Sequence, residues 1–286
     1  MPFPPEACLI GAQKAGTTTL AYLIDQHPQV AVVRPKEPHF FTHNWDKGLD
    51  WYEKKFPGPP GAVRVDASTS YSMAPLSKAY ARSRQEDYKG VPGRVSSVNP
   101  NVKLIYLLRD PVERTYSGYW HDARMGGENR DFTTALLNNA FYLDVSDYHG
   151  QLLLWLQVFP LSSFFFVLFE DLREDPERVT RECWKFLGVN EEAGSAQLDL
   201  HENQSYQVSW AGRKMNRLAT TYPAVRATLK PIVPKGVQKL LKTVKTGSMP
   251  IPPMKEEDRN FLLDYFREKN ADIAALTNQS LDKWQR

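Results

Sequence analysis

The chain has 286 residues, 42% of them apolar, which suits one large α/β domain with a sizeable buried core. Its net charge of +3 is too mild to demand a nucleic-acid partner, and an electropositive pocket for an anionic ligand accounts for it. Two cysteines, Cys8 and Cys183, rule out a disulfide framework, offer no zinc spacing and read as buried thiols.

In chain order, a first strand over residues 7–10 leads through a loop into a helix ending near residue 25, and residues 30–33 read as a second short strand. Residues 51–56 suggest a turn or two of helix, 62–66 a strand and 75–84 a helix. Residues 103–108 form the clearest central strand, stopped by Arg109-Asp110-Pro111, which opens a helix. A helix over 148–159, a strand over 164–169 and a helix over 175–187 complete the alternation, so the four parallel strands expected begin near residues 7, 63, 103 and 164. Beyond residue 190 the strand signals fade, with helices expected over 216–229 and 256–269. The expected architecture is a P-loop-like three-layer α/β fold, its mainly parallel sheet flanked by helices. It forms a single domain, with a nucleotide-binding core over 7–190 and a helical C-terminal extension over 191–286 packed on it. The first residues lack the regions of a signal peptide and no apolar run approaches 18 residues. The expectation is therefore a soluble, cytoplasmic chain, or a soluble catalytic part of a larger protein, with no membrane span and no nucleic-acid partner.

The segment Gly11-Ala12-Gln13-Lys14-Ala15-Gly16-Thr17-Thr18-Thr19 has the glycine spacing of a phosphate-binding loop between strand and helix. Such a loop gathers backbone N–H groups at a helix N-terminus, where an anion binds readily. The lysine that a nucleoside-triphosphate loop carries after its second glycine is replaced by Thr17, and a lysine stands inside the loop instead, at Lys14. Downstream, Arg109 ends the central strand and Ser117 follows two helical turns later, a pair suited to gripping a second phosphate beyond the carboxyl end of the sheet.

In order and spacing these segments resemble the sulfotransferases that use 3′-phosphoadenosine-5′-phosphosulfate (PAPS). Gln13-Lys14-Ala15-Gly16-Thr17-Thr18-Thr19 resembles their 5′-phosphosulfate loop, and Leu108-Arg109-Asp110-Pro111 with Ser117 resembles their 3′-phosphate motif. Lys36-Glu37-Pro38-His39-Phe40-Phe41, then Lys47-Gly48-Leu49-Asp50-Trp51-Tyr52, is similar to the heparan-sulfate and related carbohydrate branch. Asp66-Ala67-Ser68-Thr69-Ser70-Tyr71 stands where that branch has Glu-Lys-Ser/Thr-Pro-x-Tyr. The resemblance covers roughly residues 8–215.

It implies in-line transfer of a sulfuryl group from PAPS to an acceptor hydroxyl or amine, leaving PAP and requiring no metal. Lys14 would stabilise the leaving phosphate oxygen. Gln13, Ala15, Gly16, Thr17, Thr18, Thr19, Arg109 and Ser117, with Arg213 and Lys214 of a late basic loop, would bind the nucleotide. Glu37 aligns with the branch's catalytic glutamate and His121 with a histidine of its N-sulfotransferases, so either is the base; burial of Glu37 beside Phe40 and Phe41 is expected to raise its pKa towards neutrality. His39, His43, Ser70 and Tyr71 would help bind the acceptor, which is a glycan, a small hydroxylated metabolite or a carrier-bound acyl chain. Two departures weaken a heparan-type acceptor: Ala67 replaces a lysine, and the C-terminal cysteine pair of several such enzymes is missing, in keeping with a reducing compartment. The alternatives are a P-loop nucleotide kinase, which needs lysine at position 17, and a catalytically inactive nucleotide-binding module, against which Lys14, Glu37 and His121 stand.

Overall fold

The computed structural model describes residues 5–80, 84–196 and 250–285. Five parallel strands form one sheet in the order β2-β3-β1-β4-β5: β1 (Ala7–Gly11), β2 (Val30–Val32), β3 (Val63–Ala67), β4 (Lys103–Leu108) and β5 (Phe164–Leu168). Every residue of β1 is buried, as is every residue of β4 except Lys103. Strands with no polar face need helices on both sides of the sheet, which gives the expected three layers. The short run at residues 30–33 joins this sheet as its edge, pairing with β3 (Val30 opposite Val63, Val32 opposite Val65), so the parallel set has five members and not four. Both cysteines are free and buried.

The helices have local causes. Helix α1 (Thr17–Ile24) starts from Gly16, whose φ of +90° turns the chain out of the loop. After α2 (Leu49–Glu53) and α3 (Val91–Val98), α4 (Pro111–Met125) opens on Asp110, whose carboxylate accepts the N–H groups of Val112 (2.8 Å) and Glu113 (3.2 Å). Short helices α5 (Phe132–Asn138) and α6 (Phe141–Asp144) lead to α7 (Tyr148–Leu156). Beyond β5 come α8 (Phe169–Glu174) and α9 (Pro176–Leu187), the latter capped by Asp175 and ended by left-handed Gly188. Helix α9 buries Val179, Thr180, Cys183, Trp184 and Leu187, and Trp184 Nε1 donates to the Ile24 carbonyl at 3.0 Å, fixing α9 to α1. Helices α10 (Glu256–Lys269) and α11 (Ile273–Thr277) follow; α10 packs on α4 and α7.

The helix expected over 75–84 does not form over the described residues 75–80. Residues 75–80 are irregular because a buried carboxylate captures their N–H groups: Asp144 accepts from Leu76 N (2.9 Å) and Ser77 N (3.0 Å). Tertiary hydrogen bonding outcompetes a local helical preference there. The regular helix of this region is α3, further along. The helix expected over 216–229 lies outside the described residues.

Candidate active site

The strand order changes direction between β1 and β4, since the chain after β1 crosses to β2 and β3 on one side while β4 leads to β5 on the other. Crevices at such points, beyond the carboxyl ends of the strands, hold ligands in open α/β sheets. Residues 12–16 and Arg109-Asp110 flank this crevice. Ala12 N donates to the Leu107 carbonyl at 2.7 Å, anchoring the loop's entry to β4. Arg109 Nη1 donates to the Lys14 carbonyl at 3.0 Å, closing the loop from the other side. The Arg109 guanidinium lies 4.7 Å from the centre of the Phe169 ring, so Phe169, at the carboxyl end of β5, orients it. Phe169 also limits the loop, because a Cβ at Gly16 would lie 2.9 Å from its ring.

Two features suit this loop to an anion. Gly16 offers α1 no capping side chain, so the first-turn N–H groups are not bonded by an N-cap residue. Lys14, with φ +71°, sits among like charges: its own burial, then Arg124, Arg109 and Arg114, lower its ammonium to about 8. Cations crowded in this way call for an anionic ligand. Thr17, Thr18 and Thr19 form the first turn of α1, with Thr17 buried and Thr18 exposed.

Sequence reasoning missed Arg114. It is fully buried, and its Nε donates to the Gln13 carbonyl (3.0 Å) and Nη2 to Gln13 Oε1 (3.4 Å). On its far side Nη1 reaches the Tyr142 carbonyl (3.1 Å) and Ser146 Oγ (3.3 Å). The local signal is Gly118, one turn on, where a Cβ would stand 3.2 Å from the guanidinium. Ser117 is buried on the same helix. Arg124 was also missed. In the last turn of α4 it donates to His121 Nδ1 at 3.1 Å. A guanidinium only donates, so Nδ1 accepts and a neutral His121 carries its proton on Nε2.

The second half of the site is residues 36–44. Glu37 (φ +64°) and His39 (φ +50°) both adopt left-handed backbone. Glu37 Oε1 accepts from Lys36 Nζ (2.9 Å) and Oε2 from Thr69 Oγ1 (2.8 Å), with His39 Nε2 at 3.7 Å. Burial opposes ionisation of Glu37, but the Lys36 charge and hydrogen bond, the Thr69 hydroxyl and His39 together outweigh it, and the carboxyl lies below its usual value. This corrects the expectation of a raised pKa. Phe40 and Phe41 point away into an aromatic core, Phe40 stacking on Tyr52 at 4.0 Å between ring centres.

Ser70 Oγ lies 2.8 Å from His39 Nδ1, so His39, Ser70 and Glu37 form one cluster. His43 is turned to Asp87, with Nδ1 2.8 Å from Oδ2. Tyr71 is in the core, its hydroxyl donating to Asp66. The cluster adjoins the Lys14 loop through Thr69–Ser72, a turn of 3-10 helix: Thr69 holds Glu37, and a Cβ at Gly11 would lie 1.9 Å from Ser72 Oγ. That contact and the φ of +154° both call for glycine there. Arg213 and Lys214 lie outside the described residues.

The chain is 27% identical over 311 residues to the bifunctional heparan sulfate N-deacetylase/N-sulfotransferase 3 of Homo sapiens, an alignment covering 99% of this chain and 31% of that protein. It is 31% identical over 195 residues to the heparan sulfate glucosamine 3-O-sulfotransferase 3B1 of Mus musculus, covering 65% of this chain and 46% of the relative. The chain thus spans less than half the length of either relative. A solved sulfotransferase from Alicyclobacillus acidocaldarius shares the fold with a TM-score of 0.67 at 23% identity, covering 99% of this chain and 100% of that one. The sequence model of the sulfotransferase domain matches residues 4–272, nearly the whole chain, and the chain belongs to the sulfotransferase domain family.

Proposed function

We propose that this chain transfers a sulfuryl group from PAPS to a hydroxyl or amine of an acceptor. The observation that carries the reading is the loop itself: a lysine held within it, an N-terminus of α1 without a capping side chain, and three guanidinium groups in attendance. When bound, PAPS supplies an activated sulfuryl group whose departure leaves negative charge on a phosphate oxygen. Lys14 and the N–H groups of the loop and α1 are the groups suited to receive that charge, and Arg109 and Ser117 to hold the 3′-phosphate.

Glu37 is the better candidate for the proton acceptor. Its carboxyl, held low, is ionised at neutral pH, and His39 and Ser70 beside it can orient a hydroxyl. The acceptor oxygen or nitrogen would bond to sulfur as the sulfur–oxygen bond to the 5′-phosphate breaks, and its proton would pass to Glu37. His121, with its proton on Nε2, suits donation to a substrate oxygen instead.

The likeness to heparan sulfate enzymes favours a glycan acceptor, and Ala67, in place of a family lysine, favours one bound differently. The test is transfer from labelled PAPS to a panel of glycans, hydroxylated metabolites and carrier-bound acyl chains, read as added sulfuryl mass. Lys14→Ala and Glu37→Gln should each lower kcat by a factor on the order of 100 or more, with Glu37→Gln keeping PAP affinity. Transfer from ATP with Mg²⁺ in place of PAPS would overturn the reading.

A further inference from the structure

Beneath the 36–44 segment, at the carboxyl end of β3, lies a carboxylate that the reaction does not itself use. Asp66 is fully buried. Its Oδ1 accepts from Ser68 Oγ (2.7 Å), and its Oδ2 accepts from the Tyr71 hydroxyl (2.6 Å) and from the Tyr52 hydroxyl. Two of these hydroxyls are bonded on their other side as well. His39 N donates to Ser68 Oγ at 3.2 Å, and Phe41 N donates to the Tyr71 hydroxyl at 3.3 Å.

A hydroxyl has one hydrogen to give. An ionised carboxylate only accepts, so it draws that hydrogen from Ser68 and from Tyr71 and leaves their lone pairs facing the 36–44 segment. Main-chain N–H groups are what such lone pairs can hold. Thr69, next to Ser68, fixes the Glu37 carboxylate from the same turn. The left-handed backbone at Glu37 and His39 is a conformation that persists only where the surroundings over-determine it.

We propose that Asp66 is a positioning residue for the proton-accepting segment: through Ser68 and Tyr71 it sets the direction of two hydroxyl groups, which hold the N–H groups of His39 and Phe41 and keep Glu37 in place. This rests on the reading of Glu37 as proton acceptor. Burial, opposed by the three hydroxyl donors and reinforced by the Glu37 charge, pushes the Asp66 carboxyl up to about 6, so at neutral pH it is still the acceptor the relay needs. Across the sheet its register partner is Cys8, a buried thiol that supplies no charge to replace it. An amide in its place would present a donor to at least one of the hydroxyls and reverse that arm.

The experiment compares Ser68→Ala, Tyr71→Phe and Asp66→Asn with the wild type in three measurements. Amide hydrogen exchange over residues 36–44 reads the positioning directly, PAP affinity by calorimetry reads the nucleotide half of the site, and steady-state transfer from PAPS reads the reaction. Each variant should speed exchange in 36–44 by about tenfold and lower kcat by about tenfold, with KM for PAPS and PAP affinity within about twofold of wild type. The two single-arm variants keep the buried carboxylate and decide the matter even if Asp66→Asn does not fold. Unchanged exchange and kcat in both would overturn the proposal, as would a parallel loss of PAP affinity, which marks general destabilisation. A wild type that binds PAP but transfers nothing from PAPS would overturn the functional reading, while the exchange result would still decide the positional one.

Discussion

Lys14 combines two demands in one residue: its ammonium must be charged to receive an anion, yet its surroundings disfavour that charge. In the free protein burial and the neighbouring guanidiniums bring it to about 8. An anion bound beside it favours the protonated form, so binding takes up a proton wherever free Lys14 is neutral. The phosphates of PAP titrate near ~6 and change little above that. PAP affinity should therefore be flat from pH 7 to about 8 and fall at higher pH, by up to about tenfold per unit. Lys14→Arg, which stays charged, should remove this alkaline limb even if its longer head weakens binding at neutral pH. Calorimetric titrations of PAP between pH 7 and 10 check both outcomes, and a limb that persists in Lys14→Arg would assign it elsewhere. Glu37 behaves oppositely: held low by Lys36, Thr69 and His39, it cannot supply an acid limb between pH 6 and 8.

At the scale of elements, α4 links the loop at residues 11–16 to the rest of the protein, and Arg114 is the link. One planar group spans the Gln13 carbonyl, the Tyr142 carbonyl and Ser146 Oγ, which a single ammonium cannot reach together. Replacing Arg114 by Lys or Leu strands buried carbonyls at about 1–3 kcal/mol each, partly offset in Arg114→Leu by removal of a buried charge. The expected loss is about 2–4 kcal/mol in urea unfolding for either variant, with PAP affinity falling as the loop loosens. Neither variant should behave as conservative. The loop itself was legible in the sequence because glycine, lysine and threonine act there through local backbone geometry. Arg114 was not, because its partners at positions 13, 142 and 146 are brought to it by the fold. Residues 75–80 misled for the same reason, their N–H groups answering to Asp144 and not to their own turn. Glu37 is singled out by its place in a motif, but its ionisation depends on Thr69 and on the way Lys36 folds back, which spacing does not reveal.

Over the whole molecule, residues 250–285 return to the core and support the site from behind. Arg259 pairs with Glu113 at 2.6 Å, Leu262 and Phe266 are buried against α4–α6, and Trp284 Nε1 donates to Glu170 at 3.2 Å. Asn270 is the most consequential of these contacts. Its Nδ2 donates to the Ser146 carbonyl (3.0 Å) and its Oδ1 accepts from His149 N (3.2 Å), clamping the turn before α7. Ser146 Oγ in turn meets Thr115 Oγ1 at 2.7 Å and Arg114, which holds Gln13. A continuous hydrogen-bonded path therefore runs from the C-terminal helices to Gln13 and its loop. Asn270→Ala removes both ends of the clamp and leaves a buried carbonyl and N–H short of a partner, a cost of about 2–4 kcal/mol. For a chain of this size that lowers Tm by roughly 3–7 °C. If the path transmits position as well as stability, PAP affinity should fall by about two- to tenfold at temperatures where the variant is fully folded. Asn270→Asp separates the two effects, because its carboxylate can still accept from His149 N but cannot donate to the Ser146 carbonyl. It should recover part of the thermal loss while PAP binding stays weakened, since it is Ser146 that touches Arg114. Full recovery of binding in Asn270→Asp would break the path at its first step and leave the C-terminal helices as a support for α7 alone.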